Sequence, residues 1–205
     1  MKNEITTVVF DIGMVLAEFA WRDLLAKMNY GPEDVELFAR EIFLSSVWDD
    51  RDRGCFDEAY YVARFKERVP GREEDVDRIF DRIAECVYEY DFSAQWLRNI
   101  KAQGYRVLYL SNYAEKNWKI AADYAFRKEF QGGVVSFEEH LMKPEPEIYR
   151  CLMERYDLRP EEFVFLDDRP VNIQGALDAG FLNTICAKDH ETAVRELWER
   201  FGIRS

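Results

Sequence analysis

Cysteine and histidine are scarce in this chain, and their scarcity limits the kinds of site it can contain. The 205 residues include two histidines, His140 and His190, and no CxxC pair. The four cysteines are scattered as Cys55, Cys86, Cys151 and Cys186. This spacing indicates reduced thiols rather than a zinc site or a disulfide framework, and we assign no catalytic role to either histidine.

Long hydrophobic runs and an excess of positive charge are also missing. No apolar stretch is long enough to span a bilayer, and the first residues lack the apolar region of a signal peptide. Lys and Arg number 28 against 40 Asp and Glu, which gives a net charge of −12. Such a surface repels nucleic acid and anionic membranes. We therefore predict a cytoplasmic protein with neither partner, and we interpret the charge as favouring solubility.

What the chain does contain is an alternation of strand and helix patterns. Strands are predicted at residues 6–10, 105–110, 133–136, 162–166 and 181–186. Helices are predicted at residues 21–29, 33–43, 56–69, 74–90, 94–103, 114–127, 145–156, 171–179 and 191–201. The alternation favours an α/β fold with a Rossmann-like parallel sheet.

The first two predicted strands are separated by a segment that is far too long for a single crossover helix. Residues 17–90 contain helical patterns and no strand candidate. We therefore predict a core of residues 1–16 and 92–205, with an inserted helical cap at residues 17–91, called the cap segment below. Within it, residues 48–54 are predicted to form an exposed loop of mixed charge between two helices.

Polar residues follow several of the predicted strands at the point where each strand ends. They are Asp11, the pair Ser111 and Asn112, the pair Asp167 and Asp168 with Asn172 shortly after, and Lys143 beyond the short strand. Each alone could be a helix cap or a solvated surface residue. Because parallel strands end at one edge of a sheet, we expect the whole set to converge there.

This combination of residues is suited to phosphoryl transfer. Asp11 can attack phosphorus as a nucleophile, and Mg²⁺ can be held by Asp11, the Gly13 carbonyl and Asp168. Ser111, Asn112 and Lys143 can bind the phosphate, and Lys143 also neutralises charge on the reacting groups. Asp167 can act from behind these ligands or through water.

The same residues resemble the four motifs of the haloacid dehalogenase superfamily. The motifs correspond to Asp11-Ile12-Gly13, to Ser111-Asn112, to Lys143-Pro144, and to Asp167-Asp168 with Asn172. The Asp-x-Gly motif and Arg53-Gly54 resemble the bacterial sugar phosphatases related to glucose-1-phosphatase. The resemblance implies a cytoplasmic Mg²⁺-dependent phosphomonoesterase that acts on a small phosphorylated metabolite, such as a sugar phosphate, through an aspartyl-phosphate.

One position departs from the pattern of most phosphatases in the superfamily. They carry a second aspartate two residues after the nucleophile, as a proton donor and base, and this chain has Gly13 there. Glu18, Asp167 and residues of the cap segment are the candidates to replace it. Loss of acid–base assistance costs on the order of 10²–10⁴ in rate, so we expect a slow enzyme or one that prefers good leaving groups.

Two other functions are compatible with the same residues. A phosphate-binding or regulatory protein without turnover would explain Gly13, and a metal-independent dehalogenase acting on a 2-haloacid would also use Asp11. In the cap segment, Trp48 or Arg53 could face the substrate or pack away from it, while Phe19 and Trp21 are expected to pack in the core. The substrate and the oligomeric state are open.

Overall fold

The computed structural model describes residues 5–204 of the chain. Within these residues there are seven strands: β1 (Thr7–Phe10), β2 (Ala17–Phe19), β3 (Val87–Glu89), β4 (Arg106–Ser111), β5 (Gly133–Val135), β6 (Phe163–Asp167) and β7 (Thr184–Cys186). The first helices are α1 (Trp21–Lys27), α2 (Pro32–Phe38), α3 (Ser46–Arg53), α4 (Glu58–Arg68) and α5 (Glu73–Asp81). The others are α6 (Ser93–Ala102), α7 (Glu115–Ile120), α8 (Ser136–Glu139), α9 (Pro146–Tyr156), α10 (Pro170–Asp178) and α11 (His190–Phe201).

Five strands form a parallel sheet in the order β5-β4-β1-β6-β7, and this confirms the predicted α/β fold with a Rossmann-like sheet. The central strand β1 pairs with β4 on one side and β6 on the other, which sets Phe10 beside Tyr109 and Leu166. All four residues of β1 are buried. Fully burying such an apolar side chain contributes about 1.5–3 kcal/mol, so burial fixes this strand in the middle of the sheet.

Helices cover both faces of the sheet, because alternate residues of β1 belong to different apolar clusters. Val8 and Phe10 pack with Trp96 and Leu197, on the face covered by α6 and α11. Val9 packs on the opposite face, covered by α9 and α10. The strand therefore reads as a continuous apolar run, as a strand buried on both faces should.

The prediction that residues 17–90 lack strands is wrong. The strands β2 and β3 pair antiparallel, with Ala17 opposite Glu89 and Phe19 opposite Val87. This antiparallel pair joins the two ends of the segment that contains α1 to α5. Each strand has three residues, which is too short for a clear alternation of apolar and polar residues. The exact limits of the cap segment stay a prediction.

Several predicted helices differ from the structure in extent. The predicted helix at residues 33–43 consists of α2 followed by a π-helical turn, Ala39–Phe43. The one at residues 74–90 ends at Asp81, and a 3₁₀ turn then leads into β3. The one at residues 114–127 is α7 followed by two 3₁₀ turns.

The predicted loop at residues 48–54 lies almost wholly in α3, which ends at Gly54 in the left-handed conformation. That loop prediction is wrong, because Arg51 and Arg53 of α3 pair with Glu58 and Glu145, while Asp49 and Asp50 lie exposed on the helix surface.

No helix in the described part of the chain is both long enough and apolar enough to cross a membrane. The four cysteines are free thiols.

Candidate active site

The predicted polar residues meet at the edge of the sheet where β1, β4 and β6 end. Asp11 follows β1 directly, and its backbone N–H donates to the Leu166 carbonyl of β6 at 2.8 Å. Ser111 is the last residue of β4, and Asp167 is the last residue of β6. The parallel topology therefore brings together side chains that are 100 residues apart in the chain, such as Asp11 and Ser111.

One oxygen of Asp11 is held by three donors. Its Oδ1 accepts from the Ile12 N–H at 2.7 Å, from Ser111 Oγ at 2.9 Å and from Lys143 Nζ at 2.9 Å. Within residues 5–204, no hydrogen bond or ion pair reaches the second oxygen, Oδ2. The Asp11 carboxylate is thus fixed in orientation through one oxygen, and the other is left for chemistry.

Lys143 supplies the positive charge of the site. It is 3% exposed, and its Nζ donates to the Leu110 carbonyl at 2.8 Å and to Asp167 Oδ2 at 2.7 Å, in addition to Asp11. Burial on its own lowers the pKa of Lys143, but Asp11 and Asp167 outweigh it, so the net direction is upward. The ammonium therefore stays charged between the two carboxylates.

Asn112 positions Lys143 through the backbone. Its Nδ2 donates to the Lys143 carbonyl, and its Oδ1 accepts from the Lys143 N–H, both at 2.9 Å. The side chain of Asn112 is therefore occupied in holding Lys143, although it was predicted to bind phosphate. The hydroxyl of Ser111 is likewise occupied, as a donor to Asp11.

Asp167 and Asn172 form a buried support behind the site. Asp167 is 0% exposed, and its Oδ1 accepts from the Arg169 N–H at 2.9 Å and from Asn172 Nδ2 at 3.0 Å. With Lys143 on its other oxygen, Asp167 has a full set of donors. It orients Lys143 and is poorly placed to exchange protons with a substrate.

A cation would fit among the remaining oxygens. Carboxylate oxygens of Asp11, Asp167 and Asp168 lie within 4.8 Å of one another, and the Gly13 carbonyl accepts no backbone hydrogen bond from the described residues. Burial raises the pKa of Asp11 and that of Asp168, and the charge of Asp167 adds to both. Mg²⁺ prefers carboxylate and carbonyl oxygens as ligands. A cation bound here would also offset the repulsion between these carboxylates.

A cavity of about 480 Å³ opens above this edge. Its lining from the sheet edge consists of Asp11, Gly13, Asn112, Lys143, Asp168 and Asn172. The cap segment contributes the opposite wall, which includes Phe19, Trp21, Phe43, Trp48 and Asp52. The cavity therefore lies between the converged polar residues and the inserted helices.

Comparison with known proteins assigns the chain to a family. Residues 5–180 match the family model of the haloacid dehalogenase-like hydrolases. The chain belongs to this family. The resemblance to the haloacid dehalogenase superfamily found in the sequence is thereby confirmed.

Curated relatives of this haloacid dehalogenase-like hydrolase differ in length and in name. Acyl-CoA dehydrogenase family member 10 of Mus musculus is 33% identical over 56% of this chain and 11% of its own length. Sesquiterpene phosphatase astK of Aspergillus oryzae is 24% identical over 89% of this chain and 90% of its own. Pyrophosphatase PpaX of Bacillus cereus is 31% identical over 49% of this chain and 47% of its own length. The match covers 24% of the length of bifunctional epoxide hydrolase 2 of Sus scrofa, so the chain spans only a small part of this protein and of the mouse protein.

Solved structures share the fold. A haloacid dehalogenase family enzyme of Bacteroides thetaiotaomicron, in complex with magnesium and inorganic phosphate, has a TM-score of 0.67 at 22% identity and covers 88% of this chain and 93% of its own. The L-2-haloacid dehalogenase of Xanthobacter autotrophicus, with chloropropionic acid covalently bound, has a TM-score of 0.66 at 18% identity, with coverages of 96% and 83%.

The hydrolase's cap segment contains one residue that the sequence gave no reason to select. Arg51 of α3 is 2% exposed; its Nη2 donates to Asn117 Oδ1 of α7 at 2.7 Å, and its guanidinium also pairs with Glu58 at 2.8 Å. It also lies over the Trp48 ring, 4.9 Å from the centroid. A charged residue in a run of charges normally indicates a solvated surface, and only the fold shows that this one ties the inserted helices to α7.

Trp48 and Arg53 were each predicted either to face the substrate or to pack away from it, and the structure gives a different answer for each. Trp48 packs against Phe19 and Phe43, with ring centroids 5.3 and 5.2 Å apart, and it also lines the cavity. Arg53 pairs with Glu145 at 3.0 Å and does not line the cavity, so the idea that it faces the substrate is wrong. Phe19 and Trp21, expected in the core, line the cavity as well as packing there.

The acids that could replace the side chain missing at Gly13 have unequal surroundings. Glu18 Oε2 accepts a hydrogen bond from Tyr90 Oη at 2.5 Å. Asp52, on α3, lines the cavity and receives a backbone hydrogen bond from Ala114. Burial raises the pKa of Asp52 to about 7. A carboxyl group of this kind holds a proton near neutral pH, whereas an exposed one does not.

Proposed function

We propose that the chain is a Mg²⁺-dependent phosphomonoesterase that acts on a small phosphorylated metabolite through an aspartyl-phosphate. The observation that carries the proposal is the state of Asp11. Three donors fix its Oδ1, while none of the residues from 5 to 204 bonds Oδ2, and the carboxylate lines the cavity beside Lys143. A nucleophile needs this combination of fixed orientation and a free lone pair.

In the first step, Asp11 Oδ2 attacks phosphorus and the bond from phosphorus to the ester oxygen breaks. The alcohol leaves with a proton, and Asp11 carries the phosphoryl group. In the second step, water attacks this phosphorus, a base takes its proton, and phosphate and free Asp11 are released. Lys143 keeps its positive charge next to the nucleophile throughout, which lowers the electrostatic cost of bringing two anions together.

The residues present fit a magnesium ion. Asp11, the Gly13 carbonyl and Asp168 would hold it, since Asp167 already has its full set of donors. Bound there, Mg²⁺ would screen the repulsion between the nucleophile and the substrate phosphate. The pair Asp167 and Asp168 favours this over the metal-independent dehalogenase alternative, because the single charge of Lys143 does not balance three neighbouring carboxylates and a further cation would.

We assign the proton transfer that Gly13 cannot perform to Asp52. Asp52 lines the cavity that contains Asp11, and a pKa of about 7 suits a group that must both give and take a proton. One carboxyl oxygen can accept the Ala114 N–H while the other carries the proton. Of the other acids that the sequence offers for this role, Asp167 is fully buried and its oxygens already accept hydrogen bonds. Glu18 accepts a hydrogen bond from Tyr90.

The relatives support phosphatase chemistry without choosing a substrate. Two of them are named as phosphatases of different compounds, and one structural neighbour binds magnesium and phosphate. Membership of the glucose-1-phosphatase-like branch, and with it a sugar phosphate substrate, stays a prediction from the Asp-x-Gly motif and Arg53-Gly54.

The test is release of phosphate from para-nitrophenyl phosphate, with Mg²⁺ and with chelator. We expect multiple turnovers only with Mg²⁺, and no activity in Asp11→Asn. The matched control is Asp123→Asn, which removes an exposed carboxylate outside the cavity. Binding of phosphate without turnover would instead support the regulatory alternative. Halide release from a 2-haloacid in chelator would support the dehalogenase.

A further inference from the structure

We infer that the cap side of the cavity is an apolar subsite for the leaving group, so that the substrate is the phosphate ester of a hydrophobic alcohol rather than a sugar phosphate. The inference rests on the proposed phosphatase function and specifies the other half of its substrate. The evidence for it is the predominance of aromatic and other apolar side chains in the cavity wall that faces the sheet edge.

Aromatic rings form a continuous part of this wall. Trp21 and Phe43 are stacked with centroids 4.8 Å apart, and Phe43 contacts Trp48 at 5.2 Å. Phe19 completes the group, 5.3 Å from Trp48. All four line the cavity. Rings packed against one another in stacked and tilted pairs are held rigidly, so they present a preformed apolar surface to whatever binds above Asp11.

Two large apolar side chains at the cavity are exposed to water. Leu44 is 68% exposed and Met14 is 46% exposed, and both belong to the lining. Met14 directly follows Gly13 and adopts a left-handed conformation, with φ of 58°, which is unusual for a side chain of this size. Exposed apolar surface that continues into a cavity is typical of a binding surface for an apolar ligand.

Several polar groups on the same side already have partners, which leaves fewer hydrogen bonds for sugar hydroxyls. Glu18 binds Tyr90, the Asn117 side chain binds Arg51, and Asp52 receives the Ala114 amide. Asp49 and Arg169 also belong to the lining, and both are exposed to water.

A hydroxylated leaving group would therefore lose its water without regaining equivalent hydrogen bonds, whereas an alkyl or aryl group would not.

The experiment is a homologous series of n-alkyl phosphates from ethyl to octyl, compared with glycerol phosphate and glucose phosphate. The alcohols of the alkyl series differ little in acidity, so chain length changes contact and not intrinsic reactivity. Full burial of a methylene corresponds to about a fourfold gain, and we expect kcat/KM to rise about two- to fourfold per methylene. A glucose phosphate turned over as well as octyl phosphate would overturn the inference while leaving the phosphatase function intact.

A binding measurement separates the subsite from turnover. Octylphosphonate and ethylphosphonate, which cannot be hydrolysed, are titrated with Mg²⁺ into Asp11→Asn while tryptophan fluorescence is followed. We expect octylphosphonate to bind at least about tenfold more tightly, and equal affinities would overturn the inference. If no ester is hydrolysed by the wild type but this preference is found, the phosphatase function fails and the apolar subsite stands.

Variants at the rim avoid the risk of unfolding that replacement of a buried tryptophan carries. Leu44→Ser should flatten the dependence of kcat/KM on chain length and reduce the preference for octylphosphonate. The matched control is Leu182→Ser, since Leu182 is 63% exposed and lies outside the cavity, and it should leave both dependences unchanged. An unchanged chain-length dependence in Leu44→Ser would count against the position of the subsite.

Discussion

Replacement of Asp52 by asparagine should make the protein more stable and less active. A carboxyl whose pKa rises from 3.8 to about 7 on folding disfavours the charged form by about 4 kcal/mol. Asp52 is only partly buried by accessible surface, and solvent screening reduces the figure to about 2 kcal/mol. The asparagine can still accept the Ala114 N–H, so Asp52→Asn removes the charge and keeps the hydrogen bond.

The gain in stability should depend on pH with a definite sign. Below about pH 4, Asp52 is protonated in the folded and unfolded states, and the two proteins should be equally stable. Between pH 4 and 7 the folded state binds the extra proton, so the wild type loses stability as pH rises. Above pH 7 the full difference remains. For a chain of this length it corresponds to about 4–8 °C in Tm, measured by thermal unfolding at pH 4 and pH 8.

The loss of activity should depend on the leaving group. A para-nitrophenolate leaves without a proton, so the phosphorylation of Asp11 by its ester, seen as a burst of para-nitrophenolate, should lose little rate in Asp52→Asn. Phosphorylation by an alkyl ester should lose about 10²–10⁴ in rate, and release of phosphate should slow with both esters because Asp52 also acts as the base of the second step. The charged groups that face Asp52 are Asp49, Arg51 and Glu58, and they are unchanged in this variant. Asp50→Asn, on the same helix but outside the cavity, is the control. Equal losses with both esters in the phosphorylation step, or a lower Tm at pH 8, would show that the role assigned to Asp52 is wrong.

Three further variants address the rest of the site. Lys143→Met should lower kcat at least about 10²-fold and reduce the free energy of unfolding by about 3–5 kcal/mol, since two buried carboxylates lose their cation; a stable, active variant would contradict the assigned charge balance. Gly175→Ala places a Cβ 2.6 Å from the Pro144 carbonyl oxygen, so kcat and Tm should both fall, whereas Gly31→Ala, with open space around it, should change neither. Arg51→Met should lower Tm by breaking a buried pair, and limited proteolysis should then cut within residues 17–91; unchanged cleavage would mean that Arg51 does not anchor these helices.

The parallel sheet could be predicted from the sequence because its strands are runs of buried apolar residues bounded by turn signals. The convergence of Asp11, Ser111 and Asp167 followed from the same topology, since parallel strands end at one edge. These predictions needed only the order of elements and the position of each polar residue at the end of a strand.

The parts that could not be predicted depend on contacts between distant residues. The strands β2 and β3 are three residues each, and their pairing joins Ala17 to Glu89 across the whole inserted segment. Arg51 is buried because Glu58 and Asn117 happen to surround it, and nothing in a run of charged residues indicates this. The apolar wall of the cavity could not be predicted for the same reason, because the sequence alone does not show whether aromatic residues such as Trp48 face the cavity or pack away from it.

The central place of β1 determines when the sheet can form during synthesis on the ribosome. Its partners β4 and β6 begin at Arg106 and Phe163, so about 150 residues are made after β1 before it has a neighbour on both sides. At about 5–20 residues per second, that interval lasts roughly 8–30 s. During it Val8, Val9 and Phe10 form an unpaired hydrophobic segment of the nascent chain, accessible to chaperones and to other unfinished chains. The strand that leads into the nucleophile is thus synthesised before both of its partners, and it is fully paired only when the last acids of the site have been made.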